Sequence, residues 1–214
     1  MHTLHKEQDS LQAAALRVPF FACLIEQDRS QFESLIAHCE LHSITPGEQI
    51  LRQGDSASLL YFIVTGSVDV RADGHYLGTL PAGETFGDMS LFVSSKRNAD
   101  IAATRSNTSD TLVLAFDATC LGDLDDFSQI SIASKLLFYR LHNQRARWRL
   151  EKNRIQFPHH SFFARLHDVK DVAANDDRNE LKELHRQAVE LTHMLMDWNA
   201  LGIDFGSVQG ATGS

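Results

Sequence analysis

From Gln49 to Asp117 the apolar positions come in short runs punctuated by glycine. Gln49-Ile50-Leu51-Arg52 reads as a brief strand after the Pro46-Gly47-Glu48 turn and ends at Gly54-Asp55. Leu59-Leu60-Tyr61-Phe62-Ile63-Val64 is β-branched and aromatic, stops at Thr65-Gly66, and is followed by Val68, Val70 and Ala72 in alternation. Asp73-Gly74 is a two-residue hairpin signal, and Tyr76-Leu77-Gly78-Thr79-Leu80 then runs to Pro81-Ala82-Gly83. Short strands separated by turn residues at roughly eight- to twelve-residue intervals predict a small antiparallel roll.

The flanks have a different period. Leu16, Phe20, Phe21, Leu24 and Ile25, then Phe32, Leu35 and Ile36, recur at helical spacing, with Pro19 separating the first two pieces. After Phe116-Asp117 a long helix is expected, with Ser128 as N-cap and Phe157-Pro158 as its stop. Ile130, Leu137, Leu141, Trp148 and Ile155 lie along one stripe of it, interrupted by Gln144 and Glu151. A linker over Ala174-Asn175-Asp176-Asp177 leads to a second helix carrying Leu181, Leu184, Ala188, Leu191, Leu195 and Trp198, a stripe suited to a helical hairpin or a dimer contact. Gly202 is its expected end, and the Gly/Ser/Thr-rich tail is expected to be mobile.

The chemistry concentrates in Phe86-Gly87-Asp88-Met89-Ser90-Leu91-Phe92, followed by Arg97-Asn98-Ala99. Backbone N–H groups at the start of a short helix and one guanidinium suit a singly charged phosphate, and a neighbouring carboxylate can accept a hydrogen bond from a ribose hydroxyl. That combination points to a cyclic nucleotide.

Residues from about Phe20 to Asp117 resemble the cyclic nucleotide-binding domain of catabolite activator protein and of the regulatory subunits of cyclic AMP-dependent kinase. The resemblance rests on the Pro46-Gly47-Glu48 turn, Gly54-Asp55, Tyr61-Phe62-Ile63 with Gly66, Gly83, and the Phe86-Gly87-Asp88…Arg97-Asn98-Ala99 cassette, in family order. It implies an α+β fold: a jelly-roll-like antiparallel β-barrel flanked by N-terminal helices, with a long C-terminal helix and an additional helix. It also implies that Arg97 pairs with the cyclic phosphate, that Asp88 stands where the family has a ribose-binding glutamate, and that Gly87, Met89 and Ser90 occupy the short phosphate-binding helix. Ala99 takes the place of a small residue near the phosphate; Asn98 departs from the usual serine, threonine or alanine. The long helix, by the same resemblance, supplies a homodimer interface over 128–156 and a lid over the base, for which Phe138, Tyr139, His142 and Arg145 are the candidates. The expected divisions are an N-terminal extension (1–19), the roll (20–127), the lid and dimerisation helix (128–157), a helical extension (158–202) and a tail (203–214).

Composition narrows the function classes. The formal net charge of −8 argues against nucleic acid as a default partner, although Arg140, Arg145, Arg147, Arg149, Lys152 and Arg154 make one basic helix. The bland reading of that helix is a solvated face opposite the acids Asp168, Asp171, Asp176, Asp177, Glu180 and Glu183. Three scattered cysteines suggest neither a disulfide framework nor a metal ribbon. No signal peptide and no run long enough to span a bilayer is evident, so a cytoplasmic protein is expected. Asp204-Phe205-Gly206 lacks the other kinase motifs, His38 and His42 make no metal pattern, and no nucleophile has a positioned base, so no catalytic or metal residues are assigned. No helix-turn-helix series follows the long helix. The leading expectation is a receptor for a cyclic nucleotide, cyclic AMP first, that acts on an unidentified protein effector. The alternatives are a degenerate roll serving as a dimeric scaffold and an atypical transcription regulator using the basic helix.

Overall fold

In the computed structural model, which describes residues 10–93, 96–169 and 175–201, two four-stranded antiparallel sheets form the roll. One sheet orders β1 (Cys39–Ile44), β8 (Thr111–Asp117), β3 (Leu59–Thr65) and β6 (Thr85–Phe86). The other orders β2 (Gln49–Leu51), β7 (Asp100–Ala103), β4 (Ser67–Ala72) and β5 (His75–Pro81). Asp73 and Gly74 both take positive φ, 51° and 80°, as the tight β4–β5 hairpin requires.

The near-continuous apolar run of β3 has a physical reason: both faces of its sheet are covered. Ile63 joins Leu51, Val68, Phe86, Ile101 and Val113 inside the roll. Leu60, Phe62 and Val64 point the other way, into a core shared with Phe20, Phe21, Leu24, Phe32 and Phe138. Those residues come from α2 (Pro19–Gln27), α3 (Arg29–Ile36) and the long helix α6 (Ile132–Gln156); a first helix, α1, covers 10–15. Short helices α4 (Met89–Phe92) and α5 (Thr119–Gly122) complete the roll, and α7 (Asp177–Ala200) lies against α6. This is the α+β architecture the sequence predicts.

Two expectations for the C-terminal half are corrected. The long helix is capped by Ser131, whose side chain accepts from the Ser134 amide, rather than by Ser128. The Ser128 amide instead donates to Asp126 Oδ1 at 2.8 Å, an Asx turn that keeps the chain out of the helix there. On the α6 stripe, Trp148 and Ile155 are 62% and 68% exposed. Finally, α6 and α7 run parallel and form no hairpin. Arg140 meets Glu180, Asn143 meets Leu184, and Phe157 meets Trp198, so contacts advance together along both helices. The connection that carries the chain back contains a 3-10 helix, Ser161–His167, capped by the His160 side chain. Residues 1–9, part of the Ala174–Asp177 linker, the Gly202 stop, the tail and Asp204-Phe205-Gly206 lie outside the described residues.

Candidate functional site

Arg97 is held from both ends. Its amide donates to Asp55 O at 2.8 Å and its carbonyl accepts from Gly54 N at 2.9 Å, which is the structural use of the Gly54-Asp55 turn. Its guanidinium then reaches back under the cassette. Nη1 donates to Gly87 O (3.1 Å) and Ser90 Oγ (3.3 Å), Nη2 donates to Leu59 O (2.8 Å), and the group lies 5.8 Å from the Tyr61 ring centroid. Tyr61 itself stacks on Phe86 at 5.0 Å. Arg97 is only 6% exposed, yet among the described residues no carboxylate lies within 4.0 Å of it. Burial lowers its pKa, opposed by Tyr61, Asp55 and Asp88, and an arginine stays charged regardless.

Beside this cation is a cavity of about 380 Å³. Phe86, Gly87, Asp88, Met89, Ser90, Arg97, Asn98 and Ala99 all line it, so the two halves of the cassette meet on one wall. The β4–β5 hairpin supplies a second wall through Val70 and Tyr76–Leu80.

The wall from the helices differs from the expected lid. Phe138, Tyr139, His142 and Arg145 do not line this cavity. Phe138 and Tyr139 face the helical core, and Arg145 donates to Thr85 Oγ1 (2.7 Å) and Gly83 O (3.0 Å). One to three turns further along α6, the lining residues are Arg149, Lys152, Asn153 and Gln156, with Leu195 and Asn199 from α7. Their spacing on α6 marks one face, which was readable within the basic run but is hidden there by its charge pattern. The Asn98 amide also approaches Met196 Sδ of α7 at 3.6 Å.

Asp88 is 7% exposed and ionised. Burial pushes its pKa up, but His142 and Arg149 outweigh this and hold it down to about 2. Its Oδ2 lies 3.4 Å from His142 Nδ1 and 3.8 Å from Arg149 Nη1. The basic helix therefore divides its charges. Arg145 and Arg149 turn in to the cassette, Arg140 pairs with Glu180 at 2.6 Å, and Arg154 pairs with Glu151 at 2.6 Å. Among the described residues no group of His, Cys, Asp and Glu could hold a metal ion, and no helix is long and apolar enough to cross a membrane.

Residues 41–124 match the cyclic nucleotide-binding domain family. That segment is similar to a cyclic nucleotide-binding domain. The chain is 32% identical over 104 residues to the voltage-gated delayed rectifier potassium channel KCNH8 of Homo sapiens, a match covering 47% of this chain and 9% of the channel. It is 36% identical over 100 residues to Glutaminase 1 of Bradyrhizobium diazoefficiens, covering 46% of this chain and 15% of that protein. The chain thus spans a small part of the curated relatives it matches. In fold it is similar to a solved cAMP-bound PfPKA-R fragment, with a TM-score of 0.50 at 17% identity over 74% of this chain and 50% of that one.

Proposed function

We propose that this protein is a receptor for a cyclic nucleotide, cyclic AMP first, and that it signals by repositioning α6 and α7 toward a protein partner. In this reading the cyclic phosphate lies on Arg97 beside Gly87 and Ser90, Asp88 takes a ribose hydroxyl, and the base extends toward the wall of Arg149, Lys152, Asn153 and Gln156. The observation that carries it is the guanidinium of Arg97: almost fully buried, free of any carboxylate within 4.0 Å among the described residues, and set in a cavity wall. A buried charge without a counter-charge is costly, and an anionic ligand would compensate it. A homodimer through residues 128–156 belongs to the same reading, with exposed Trp148 and Ile155 as its contact positions.

The test is thermal unfolding with cyclic AMP, cyclic GMP and cyclic di-GMP, with Arg97→Ala alongside. Ligand at about a hundred times its dissociation constant adds roughly 2.7 kcal/mol. A shift with one nucleotide that disappears in a folded Arg97→Ala supports the receptor and names its messenger. No shift with any of the three favours a ligand-independent scaffold, a reading supported by the neutral acceptors that already occupy the Arg97 donors.

A further inference from the structure

Asp88 stands between two sets of partners. On one side it is part of the cavity wall; on the other it meets His142 and Arg149 of α6. We infer that His142 and Arg149 form a latch on Asp88 that a nucleotide must displace, so that ligand entry and release of α6 are one event. This rests on the reading that a nucleotide hydroxyl binds Asp88.

The latch is built from one helix face and one loop. His142, Arg145 and Arg149 lie at i, i+3 and i+7 on α6, and all bind the segment from Gly83 to Asp88. Besides Asp88, Arg149 donates to Thr85 O at 2.8 Å and to Glu84 Oε2 at 3.2 Å. The loop that presents the phosphate turn is thereby tied to the helix that would carry the signal.

The tie is also incomplete. The contacts to Asp88, at 3.4 and 3.8 Å, are longer than the roughly 2.7–2.9 Å of a tight charge-assisted hydrogen bond. Among the described residues, His142 Nε2 and Arg149 Nε are buried with no hydrogen-bond partner. Buried polar groups left short of partners are costly, and two of them on the same latch leave it easy to displace. A hydroxyl donating to Asp88 competes directly with His142. The bonds of Arg145 and Arg149 to Gly83, Glu84 and Thr85 persist, so losing the Asp88 contacts loosens α6 against the loop, and α7, which packs along it, loosens with it.

A competing latch gives an unusual sign. His142 does not line the cavity, so His142→Phe removes the competitor without removing a ligand contact. Its ring environment, Phe92 at 4.4 Å and Phe138 at 6.2 Å, accepts an aromatic side chain. The apparent dissociation constant divides by the fraction of competent molecules, so His142→Phe should bind nucleotide about threefold or more tightly than the wild type. The experiment titrates wild type and His142→Phe with cyclic AMP and cyclic GMP and follows amide hydrogen exchange over residues 142–156 without nucleotide. Tighter binding with faster exchange is the expected result. Equal or weaker binding by a folded His142→Phe overturns the latch. Should wild type bind neither nucleotide, the receptor reading fails by itself, and exchange still decides: faster exchange in His142→Phe supports the latch as a clamp, and unchanged exchange overturns it. Asp88→Asn tests it from the other partner, with the same faster exchange expected if His142→Phe does not fold.

Discussion

Gly87 and Arg97 are shaped to each other. Gly87 has a φ of +79°, and a Cβ built on it would lie 2.6 Å from Arg97 Nη1 and 3.1 Å from Leu59 O. Nη1 donates to Gly87 O, and Leu59 O accepts from the other terminal nitrogen, Nη2, so both atoms serve the bonds that hold the guanidinium at the base of the cassette. A side chain at position 87 must therefore strain the backbone and displace the guanidinium together. Gly87→Ala is expected to cost about 1–3 kcal/mol, read as a lower urea midpoint with unchanged m. It should also abolish any nucleotide-induced thermal shift.

Trp198 holds the end of the parallel pair. It is fully buried, with Phe163 at 4.7 Å, Phe162 and His160 at 5.4 Å and Phe157 at 5.6 Å. These rings come from the end of α6, the 3-10 connection and α7. Trp198→Ala should destabilise the protein by about 3–5 kcal/mol. Because the rings sit beyond the roll, limited proteolysis should open the connection around 158–169 before the roll.

The roll and the cassette were legible because their signals are local. Asp73-Gly74 dictates a hairpin, and Phe86-Gly87-Asp88 with Arg97 needs only a turn to become one wall. Ser128 misled because Ser131 has the same chemistry three residues on, and the Ser131 amide that a Ser128 cap could take donates instead to Gln31 Oε1, far away in the sequence. The parallel course of α7 was not legible: its apolar stripe is the same whichever direction it packs. The cavity face of α6 was hidden for a related reason. Arg149 reads as a solvent charge until Glu84, Thr85 and Asp88, some 60 positions earlier, are brought beside it.

Lys135 is a buried lysine with a structural task. It is fully buried near the start of α6, and its Nζ donates to Asp123 O and, at 2.8 Å, to Asp126 O, with the Phe127 ring 5.3 Å away. Burial lowers its pKa, while Cys120 and Asp123 oppose that. The ammonium closes a turn that has too few amides to satisfy its own carbonyls. Lys135→Met keeps the packing and leaves both carbonyls unpaired, at an expected cost of about 1–3 kcal/mol. Amide exchange over 123–127 should rise in that variant more than exchange in β3 or β8.

Acid should act on this protein in two separate windows, carried by Asp88 and His185. Asp88 has a pKa lowered to about 2 in the folded chain. An unfolded aspartate titrates near about 3.9, so the unfolded chain binds this proton first as pH falls. The stabilisation from Asp88 is full above about pH 4 and is lost as pH falls toward about 2. His185 acts higher. Burial lowers its pKa, and its Nδ1 lies 3.0 Å from the Tyr139 hydroxyl, which donates to Leu121 O at 3.1 Å. For this base too the unfolded chain takes the proton more readily, so stability falls as pH drops below about 6.5, the ordinary histidine value. His185→Phe should flatten the melting temperature between pH 7 and 5 while leaving the lower window intact. Asp88→Asn should do the reverse. A wild-type melting temperature that does not fall between pH 7 and 5 would remove His185 from this role, and the Asp88 window would stand or fall on the measurements below pH 4.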